Sequence, residues 1–267
     1  MLVRLLTIAV AVPIIFLCTY LGGISFLLLV LLLALFSLNE FYALMVKKEY
    51  QPSFLVGNFF TVFFILFAYF ALKRNWEPAH SAILTVAVAV ALGSGIFLKK
   101  TKDSIPNLAI TLFGLIYIGW LFSYLLFIRA LTDHGAFLFF LMLTIWANDV
   151  AAYLVGKKFG RIKLSPYVSP GKTVEGAVAG FVVCVTAAAI FSFYVKELNL
   201  THGLILGVII GIMAQISDLV ESLIKRDAGV KDSSNIVPGH GGVLDRMDSF
   251  ILTAPVVYYY LVWLINK

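Results

Sequence analysis

Residues 24–45 read ISFLLLVLLLALFSLNEFYALM, a run of 22 positions in which Glu40 is the one charged residue. A helix that crosses a bilayer needs about 20 mostly apolar residues, so this run is long enough to span one. The rest of the chain has the same character, because 61% of its 267 residues are hydrophobic and 13% are charged. Soluble domains carry roughly 25% charged residues. The composition therefore excludes a soluble domain and predicts an integral membrane protein.

Eight further stretches are apolar and long enough to span a membrane. Together with the first run, the nine lie at about 5–21, 24–45, 53–72, 79–98, 107–128, 135–155, 176–195, 203–224 and 248–265. The first two are separated by little more than Gly22-Gly23, which predicts a tight antiparallel hairpin. We therefore expect an all-α polytopic membrane protein with about nine transmembrane helices.

The 20 Lys and Arg residues fall unequally on the two sides that nine spans define. Fifteen lie on the side that holds the N-terminus and the even-numbered connections, and five lie on the other side. Cytoplasmic loops carry an excess of Lys and Arg. We therefore expect the N-terminus in the cytoplasm and the C-terminus outside. The two longest connections, residues 156–175 and 225–247, are then both cytoplasmic.

This topology brings five carboxylates to the cytoplasmic side. Asp149 lies near the cytoplasmic end of the sixth predicted span, and Asp218 and Glu221 lie near that of the eighth. Asp245 and Asp248 are at the start of the ninth predicted span. A carboxylate at mid-bilayer costs about 2.5–3.5 kcal/mol, so such groups must face water, a cation or each other. Carboxylates that share a low-dielectric place repel unless a hard cation lies between them, and oxygen ligands suit Mg²⁺. We predict a magnesium site and leave open whether a second, monovalent cation joins it.

Glu40 is the other acidic residue inside an apolar run. It is alone in helix 2, and Lys47 and Lys48 follow at the end of the same run. A long charged side chain near a helix end commonly reaches the interface. We therefore interpret Glu40 as a structural residue that pairs with these lysines or extends to the membrane surface.

The most polar segment lies between the last two spans. Residues 222–248 read SLIKRDAGVKDSSNIVPGHGGVLDRMD, and we call residues 225–247 the glycine-rich loop. Its glycines allow backbone N–H groups to approach a phosphate closely. Its four basic residues can donate charge-assisted hydrogen bonds to phosphate oxygens: Lys225, Arg226, Lys231 and Arg246. The residues alone thus predict a phosphate and metal site.

Two stretches together resemble the phosphatidate cytidylyltransferase family. The downstream one matches at Ser222, Lys225, Arg226, Lys231, Asp232, His240, Gly241, Gly242, Asp245, Arg246 and Asp248. The upstream one matches at Asn148-Asp149, Ala152-Tyr153, Gly156-Lys157, Gly160-Arg161, Ser169-Pro170, Lys172-Thr173 and Glu175-Gly176. The resemblance covers about residues 146–248, whereas residues 1–130 match only in being hydrophobic.

The resemblance implies an activity and its setting. In that family the phosphate of phosphatidic acid attacks the α-phosphorus of CTP, giving CDP-diacylglycerol and pyrophosphate. CTP and phosphatidic acid are then the substrates, the lipid bilayer is the environment and no nucleic acid takes part. A homodimer is left open. We expect a multi-pass protein of the cell (inner or plasma) membrane whose active site faces the cytoplasm. Residues 1–130 would form N-terminal helices 1–5, and residues 131–267 the catalytic helices 6–9 with both cytoplasmic loops.

The resemblance also implies a role for each polar residue of the site. Asp218, Asp245 and Asp248 would bind the metal, with Glu221 and Asp149 as nearby ligands. Lys225, Arg226 and Lys231 would complete the catalytic set. The substrate-binding residues would be Lys172, Arg246, Asn148, Ser169, Thr173, Gly241 and Gly242. His240 is either a phosphate donor or a turn residue, and both readings stay open.

Two other functions share part of this pattern. A CTP-dependent polyprenol or lipid kinase would transfer the γ-phosphoryl group and release CDP instead of pyrophosphate. A cation-coupled transporter also places carboxylates in membrane helices. A transporter would need them at mid-depth without a phosphate loop, and related halves with broken helices. The sequence shows no such symmetry, so the cytidylyltransferase is the leading hypothesis.

Overall fold

The computed structural model describes residues 2–72, 79–97 and 103–265 and is largely helical within those ranges. Its α-helices are α1 (Leu2–Leu21), α2 (Gly23–Lys47), α3 (Phe54–Leu72), α4 (Ala79–Ser94), α5 (Ser104–Gly114), α6 (Leu121–Ala130), α7 (Ala136–Phe159), α8 (Val174–Ser192), α9 (Leu200–Asp227), α10 (Leu244–Ile251) and α11 (Thr253–Ile265). Six basic residues used in the charge count lie outside the described residues: Lys73, Arg74, Lys99, Lys100, Lys102 and Lys267.

The predicted spans are present as helices. Within the described ranges, seven helical segments are long and apolar enough to cross a membrane: Gly23–Lys47, Phe54–Ala71, Ser104–Ala130, Asp133–Phe159, Val174–Ser192, Leu200–Asp227 and Leu244–Leu264. Two shorter apolar helices, Leu6–Leu21 and Ser81–Ser94, lie at the positions of the first and fourth predicted spans. The prediction of an all-α polytopic membrane protein is confirmed.

The first two helices form the tight hairpin that the sequence predicts. α1 ends at Leu21 and α2 begins at Gly23, so a single residue joins them. Gly22 has φ +64°, in the left-handed region that favours glycine. Its N–H donates to the carbonyl of Cys18, and the Arg129 guanidinium donates to the carbonyls of Thr19 and Tyr20. A side chain at Gly22 would overlap that guanidinium.

Two spans are interrupted. The span over Ser104–Ala130 contains a π-helix at Leu115–Trp120, between α5 and α6. The last span begins at Leu244, earlier than predicted, and breaks at Leu252 between α10 and α11. Pro255 explains this break, because proline has no N–H to donate to the carbonyl four residues earlier and its ring crowds that carbonyl.

The 156–175 connection contains the one sheet found in the described residues. Strand β1 (Lys163–Ser165) pairs antiparallel with β2 (Ser169–Thr173), and Lys163 lies opposite Thr173. The sequence expectation of helices and loops did not include this ribbon, since Pro170 and Gly171 weaken any strand pattern. The ribbon leads directly into α8, so it fixes where that helix begins.

Helix α8 packs between α7 and α9. Small residues permit this close approach: a Cβ at Gly180 would come within 2.9 Å of the Asn148 carbonyl oxygen, and one at Gly176 within 2.6 Å of the Ala152 carbonyl oxygen. Such residues are typical of helix interfaces in membranes. One buried hydrophobic cluster joins α2 and α6 to α7, α10 and α11. The division of the chain near residue 130 stays a prediction.

Candidate active site

A cavity of about 470 Å³ opens between α7, α8, α9 and the β-ribbon. Ligand sites commonly enclose 300–1,000 Å³. Six of the predicted site residues line it: Asn148, Asp149, Ser169, Lys172, Thr173 and Asp218. Tyr153, Gly156 and Gln215 are further lining residues that supply polar groups or space. The structure thus brings the upstream motif and the middle of α9 to one cavity.

Three carboxylates meet beside this cavity. One oxygen from each of Asp218, Glu221 and Asp248 lies within 4.8 Å of the others. Glu221 is fully buried, and Asp218 and Asp248 are partly buried. At an effective dielectric constant of about 20, each pair of negative charges at this separation repels by about 3–4 kcal/mol. A bound proton, a lysine side chain or a cation relieves this repulsion.

Two lysines supply positive charge there. Lys172 Nζ lies 2.5 Å from Asp218 Oδ2. Lys225 Nζ lies 2.7 Å from Glu221 Oε2 and 2.6 Å from Asp245 Oδ1, so it bridges α9 and α10. When all four carboxyl groups are ionised, these two lysines leave the group with excess negative charge.

The carboxylates lie deeper than the helix ends. Asp218 precedes the end of α9 at Asp227 by nine residues, which is about 14 Å along the axis at 1.5 Å per residue. Asp149 precedes the end of α7 at Phe159 by ten residues, about 15 Å. With 28 residues α9 is about 42 Å long, which exceeds the hydrocarbon core of about 30 Å, so its ends extend beyond that core. The two carboxylates lie about one turn further from the helix ends than predicted, because α7 and α9 extend beyond the predicted limits.

Asp245 does not join the three-carboxylate cluster. Its Oδ2 accepts hydrogen bonds from Gly242 N at 2.7 Å and Ser233 N at 3.0 Å and lies 3.0 Å from Ser233 Oγ, while its Oδ1 faces Lys225. Asp245 thus holds the glycine-rich loop against α9. The predicted metal residues separate into Asp218, Glu221 and Asp248 in the cluster, Asp149 on the cavity wall and Asp245 in the loop.

Glu40 is buried and binds the glycine-rich loop, so its interpretation as a lysine partner or interfacial residue is wrong. Its Oε1 accepts from Ser234 Oγ at 2.6 Å and from Val243 N at 2.9 Å. Its Oε2 accepts from Ser233 Oγ at 2.9 Å and from Leu244 N at 2.8 Å. These backbone N–H groups begin α10, where a negative charge is favourable. Helix α2 therefore positions the helix that carries Asp248.

Gly242 lies where these groups converge. A Cβ at this position would overlap Ser233 Oγ and Glu40 Oε2. Gly241 has φ +82°, in the left-handed region, and a Cβ there would lie 2.6 Å from Asp245 Oδ2. The two glycines were predicted to approach a phosphate. In the structure they approach the carboxylates of the protein, which gives them a structural role beside the predicted one.

The other basic residues that were predicted to bind phosphate lie in the glycine-rich loop. Arg226 donates to the carbonyls of Val168 and Val230, so it ties the β-ribbon to the glycine-rich loop at one end of the bundle. Lys231 and Arg246 are exposed. His240 Nδ1 lies 3.4 Å from the Pro238 carbonyl oxygen, a contact within its own turn. Both readings of His240 remain predictions.

Polar residues on the cavity wall are also held by protein contacts. Asn148 Nδ2 donates to Asp149 Oδ1 at 3.0 Å, and Gln215 Nε2 donates to Asn148 Oδ1 at 3.3 Å and to the Ala177 carbonyl at 2.9 Å. Thr173 Oγ1 accepts from Gly176 N at 3.2 Å and caps α8. Asn148 and Thr173 therefore stabilise the wall of the cavity, and their contact with substrate stays a prediction.

Sequence comparisons show which known proteins this chain is similar to. The chain matches the family described as "Cytidylyltransferase family" over residues 2–264. It is 34% identical over 260 residues to a phosphatidate cytidylyltransferase of Bacillus subtilis (strain 168), covering 97% of this chain and 96% of that protein. It is 33% identical over 262 residues to a protein of the same name from Staphylococcus haemolyticus, covering 97% and 98%. A Synechocystis protein of that name is 47% identical over 125 residues, covering 45% of this chain and 41% of that protein.

Proposed function

Because the chain belongs to the cytidylyltransferase family, we propose that it transfers the cytidylyl group of CTP to phosphatidic acid. The products are CDP-diacylglycerol and pyrophosphate, so the protein acts as a nucleotidyltransferase of phospholipid synthesis. The structural observation that carries this proposal is the three-carboxylate cluster, flanked by Lys172 and Lys225 and set deep in a membrane bundle. It offers a charged site to phosphates within a bundle of helices that can span a membrane.

The cluster fits a hard divalent cation such as Mg²⁺. Asp218, Glu221 and Asp248 offer oxygen ligands close together. Oε1 of Glu221 has no hydrogen-bond partner among the described residues, while its Oε2 faces Lys225 Nζ at 2.7 Å. Buried polar atoms normally have such partners. Bound there, the cation would offset the negative charge of the reacting phosphates. Asp149 would support it from the cavity wall, and a second, monovalent cation stays an open question.

The reaction requires two anionic phosphates to meet in line. An oxygen of the phosphatidic acid phosphate forms a bond to the α-phosphorus of CTP, and the bond from that phosphorus to the bridging oxygen breaks, releasing pyrophosphate. Catalysis of such a transfer rests mainly on positioning and charge. Lys172 lines the cavity and supplies charge at one side of the cluster, and Lys225 supplies it at the other. Arg226, Lys231 and Arg246 would hold phosphates at the loop.

The fate of each CTP phosphate tests this function. Purified protein is given phosphatidic acid, Mg²⁺ and CTP labelled in either the α- or the γ-phosphate. The proposal expects α-label in the lipid and γ-label in pyrophosphate. A lipid kinase would place the γ-label in the lipid instead, and that result would refute cytidylyl transfer.

We also propose that the site faces the cytoplasm, with the N-terminus inside and the C-terminus outside. The fifteen-to-five distribution of Lys and Arg supports this orientation. In a variant without Cys18 and Cys184, a cysteine in place of Tyr167 should react only with reagent that reaches the cytoplasm. One in place of Tyr194 should react only from outside; both positions are highly exposed. Labelling of both from the same side would contradict the proposal. Homodimerisation stays open, and mass measurement of the solubilised protein would test it.

A further inference from the structure

Tyr117 is a buried polar residue without an assigned role. Its side chain is 4% exposed, and its hydroxyl has no hydrogen-bond partner anywhere in the described part of the chain. In a membrane interior a polar group must be satisfied by protein or ligand, because no bulk water is available. Phe113, one turn before Tyr117, lines a cavity together with Ile224, which lies one turn after Glu221 on α9. Tyr117 thus lies beside the stretch of α9 that carries the cluster, within electrostatic range of the carboxylates of Glu221, Asp248 and Asp218.

The backbone at Tyr117 is unusual as well. Tyr117 lies in the π-helix Leu115–Trp120, in the middle of the span from Ser104 to Ala130. Single π-turns inside helices occur frequently at functional sites, since the extra residue changes the direction of a side chain. The ring of Tyr117 is stacked on Phe113, with centroids 5.2 Å apart and planes at 24°. This contact holds the ring, so its direction does not depend on the hydroxyl.

We infer that the Tyr117 hydroxyl donates a hydrogen bond to an oxygen of a phosphoryl group bound at the carboxylate cluster. This inference rests on the proposed function, which brings two phosphates to that cluster. A phenol suits the place because it is a neutral donor, with a hydrogen that is attracted to anionic oxygen. The phosphoryl group belongs either to phosphatidic acid or to CTP, and the two sources are separated by experiment.

Two buried tyrosines of the same span make a matched pair for the test. Tyr117 has the unpartnered hydroxyl, whereas the hydroxyl of Tyr124 lies 2.6 Å from that of Tyr259. In the ligand-free protein, Tyr117→Phe should leave the unfolding midpoint unchanged or raise it, because it removes an unsatisfied polar atom. Tyr124→Phe should lower the midpoint, because it breaks an existing bond.

Ligand binding then gives the decisive measurement. Dissociation constants are measured for CTP and for dioctanoyl phosphatidic acid, each with Mg²⁺. Tyr117→Phe should weaken one of the two by about tenfold or more, as expected for a lost bond to a charged group. Weaker phosphatidic acid binding assigns the bond to the lipid phosphate, and weaker CTP binding assigns it to the nucleotide. Tyr124→Phe should bind both as the wild type does.

Two results would overturn the inference. One is a Tyr117→Phe protein whose dissociation constants for both ligands stay within about twofold of wild type. The other is a loss of ligand-free stability as large as that of Tyr124→Phe, which would show that the hydroxyl has a partner in the protein. Binding is measured without turnover. A wild-type protein that binds both ligands but transfers no α-label would therefore refute the proposed function and leave this inference standing.

Discussion

The two parts of the chain before and after residue 130 contribute to the site in different ways. The later part, from α7 to α11, supplies every carboxylate of the cluster and both lysines that face it. The earlier part, from α1 to α6, supplies Glu40, which binds the glycine-rich loop, and Tyr117, which lies within electrostatic range of the cluster. The later part carries many charged groups, arranged in the two motifs that the sequence analysis identified. The earlier part carries single polar groups within long apolar helices.

This difference shows that the earlier part of the chain also positions the site, in addition to spanning the membrane. Glu40 accepts four hydrogen bonds from the glycine-rich loop and from the start of α10. The bonds join residues about 200 positions apart in the chain. The later part therefore provides the charges, and the earlier part fixes the segment that carries some of them.

The largest effect is expected at the carboxylate cluster. Asp218→Asn should lower kcat by about 10³-fold or more, because bound cations contribute several kcal/mol to such transfers. Asp227→Asn is the matched control, since Asp227 lies on the same helix and also has a lysine 2.5 Å away, Lys48. Transfer of α-label from CTP should persist in the control. Activity of Asp218→Asn near the wild-type value at limiting Mg²⁺ would remove the cluster from the mechanism.

A smaller effect is expected at Glu40. Glu40→Gln replaces two acceptor oxygens by one and places an amide donor among N–H and O–H donors. Each unsatisfied buried group costs about 1–3 kcal/mol, so we expect a clearly lower unfolding midpoint. We expect kcat to fall about 10- to 100-fold, since α10 loses its fixed position. Glu49→Gln, at an exposed position after α2, is the control, and equal behaviour of the two variants would contradict the role given to Glu40.

The smallest effect is expected one residue before Glu40. Asn39 and Asn58 exchange two side-chain hydrogen bonds, at 2.9 and 3.1 Å, between α2 and α3. Such bonds in membranes contribute on average about 0.6 kcal/mol. Replacing both residues by Leu should therefore change stability slightly and leave turnover within about twofold of wild type. A large loss of turnover would show that the earlier part acts through its general packing and not through Glu40.

The sequence predicts the spans well and the site in part. An apolar run of sufficient length predicts a spanning helix directly, because charged side chains are unfavourable in the hydrocarbon core. Lys172 and Asp218 were both assigned to the site, and the structure places them in contact. The contact of Glu40 with Ser233 could not be predicted, because a lone carboxylate gives no sign of a partner that far along the chain. A π-helix likewise leaves no pattern that would single out Tyr117.

The central claim is that Asp218, Glu221 and Asp248 hold a divalent cation and that the earlier part of the chain does not. Mn²⁺ binding, followed by electron paramagnetic resonance on the purified protein without substrates, tests it most directly. Wild type, Asp227→Asn and Tyr117→Phe should bind Mn²⁺ alike, whereas Asp218→Asn and Asp248→Asn should bind it at least about tenfold more weakly. Equal Mn²⁺ affinity in the wild type and in both cluster variants would contradict the account.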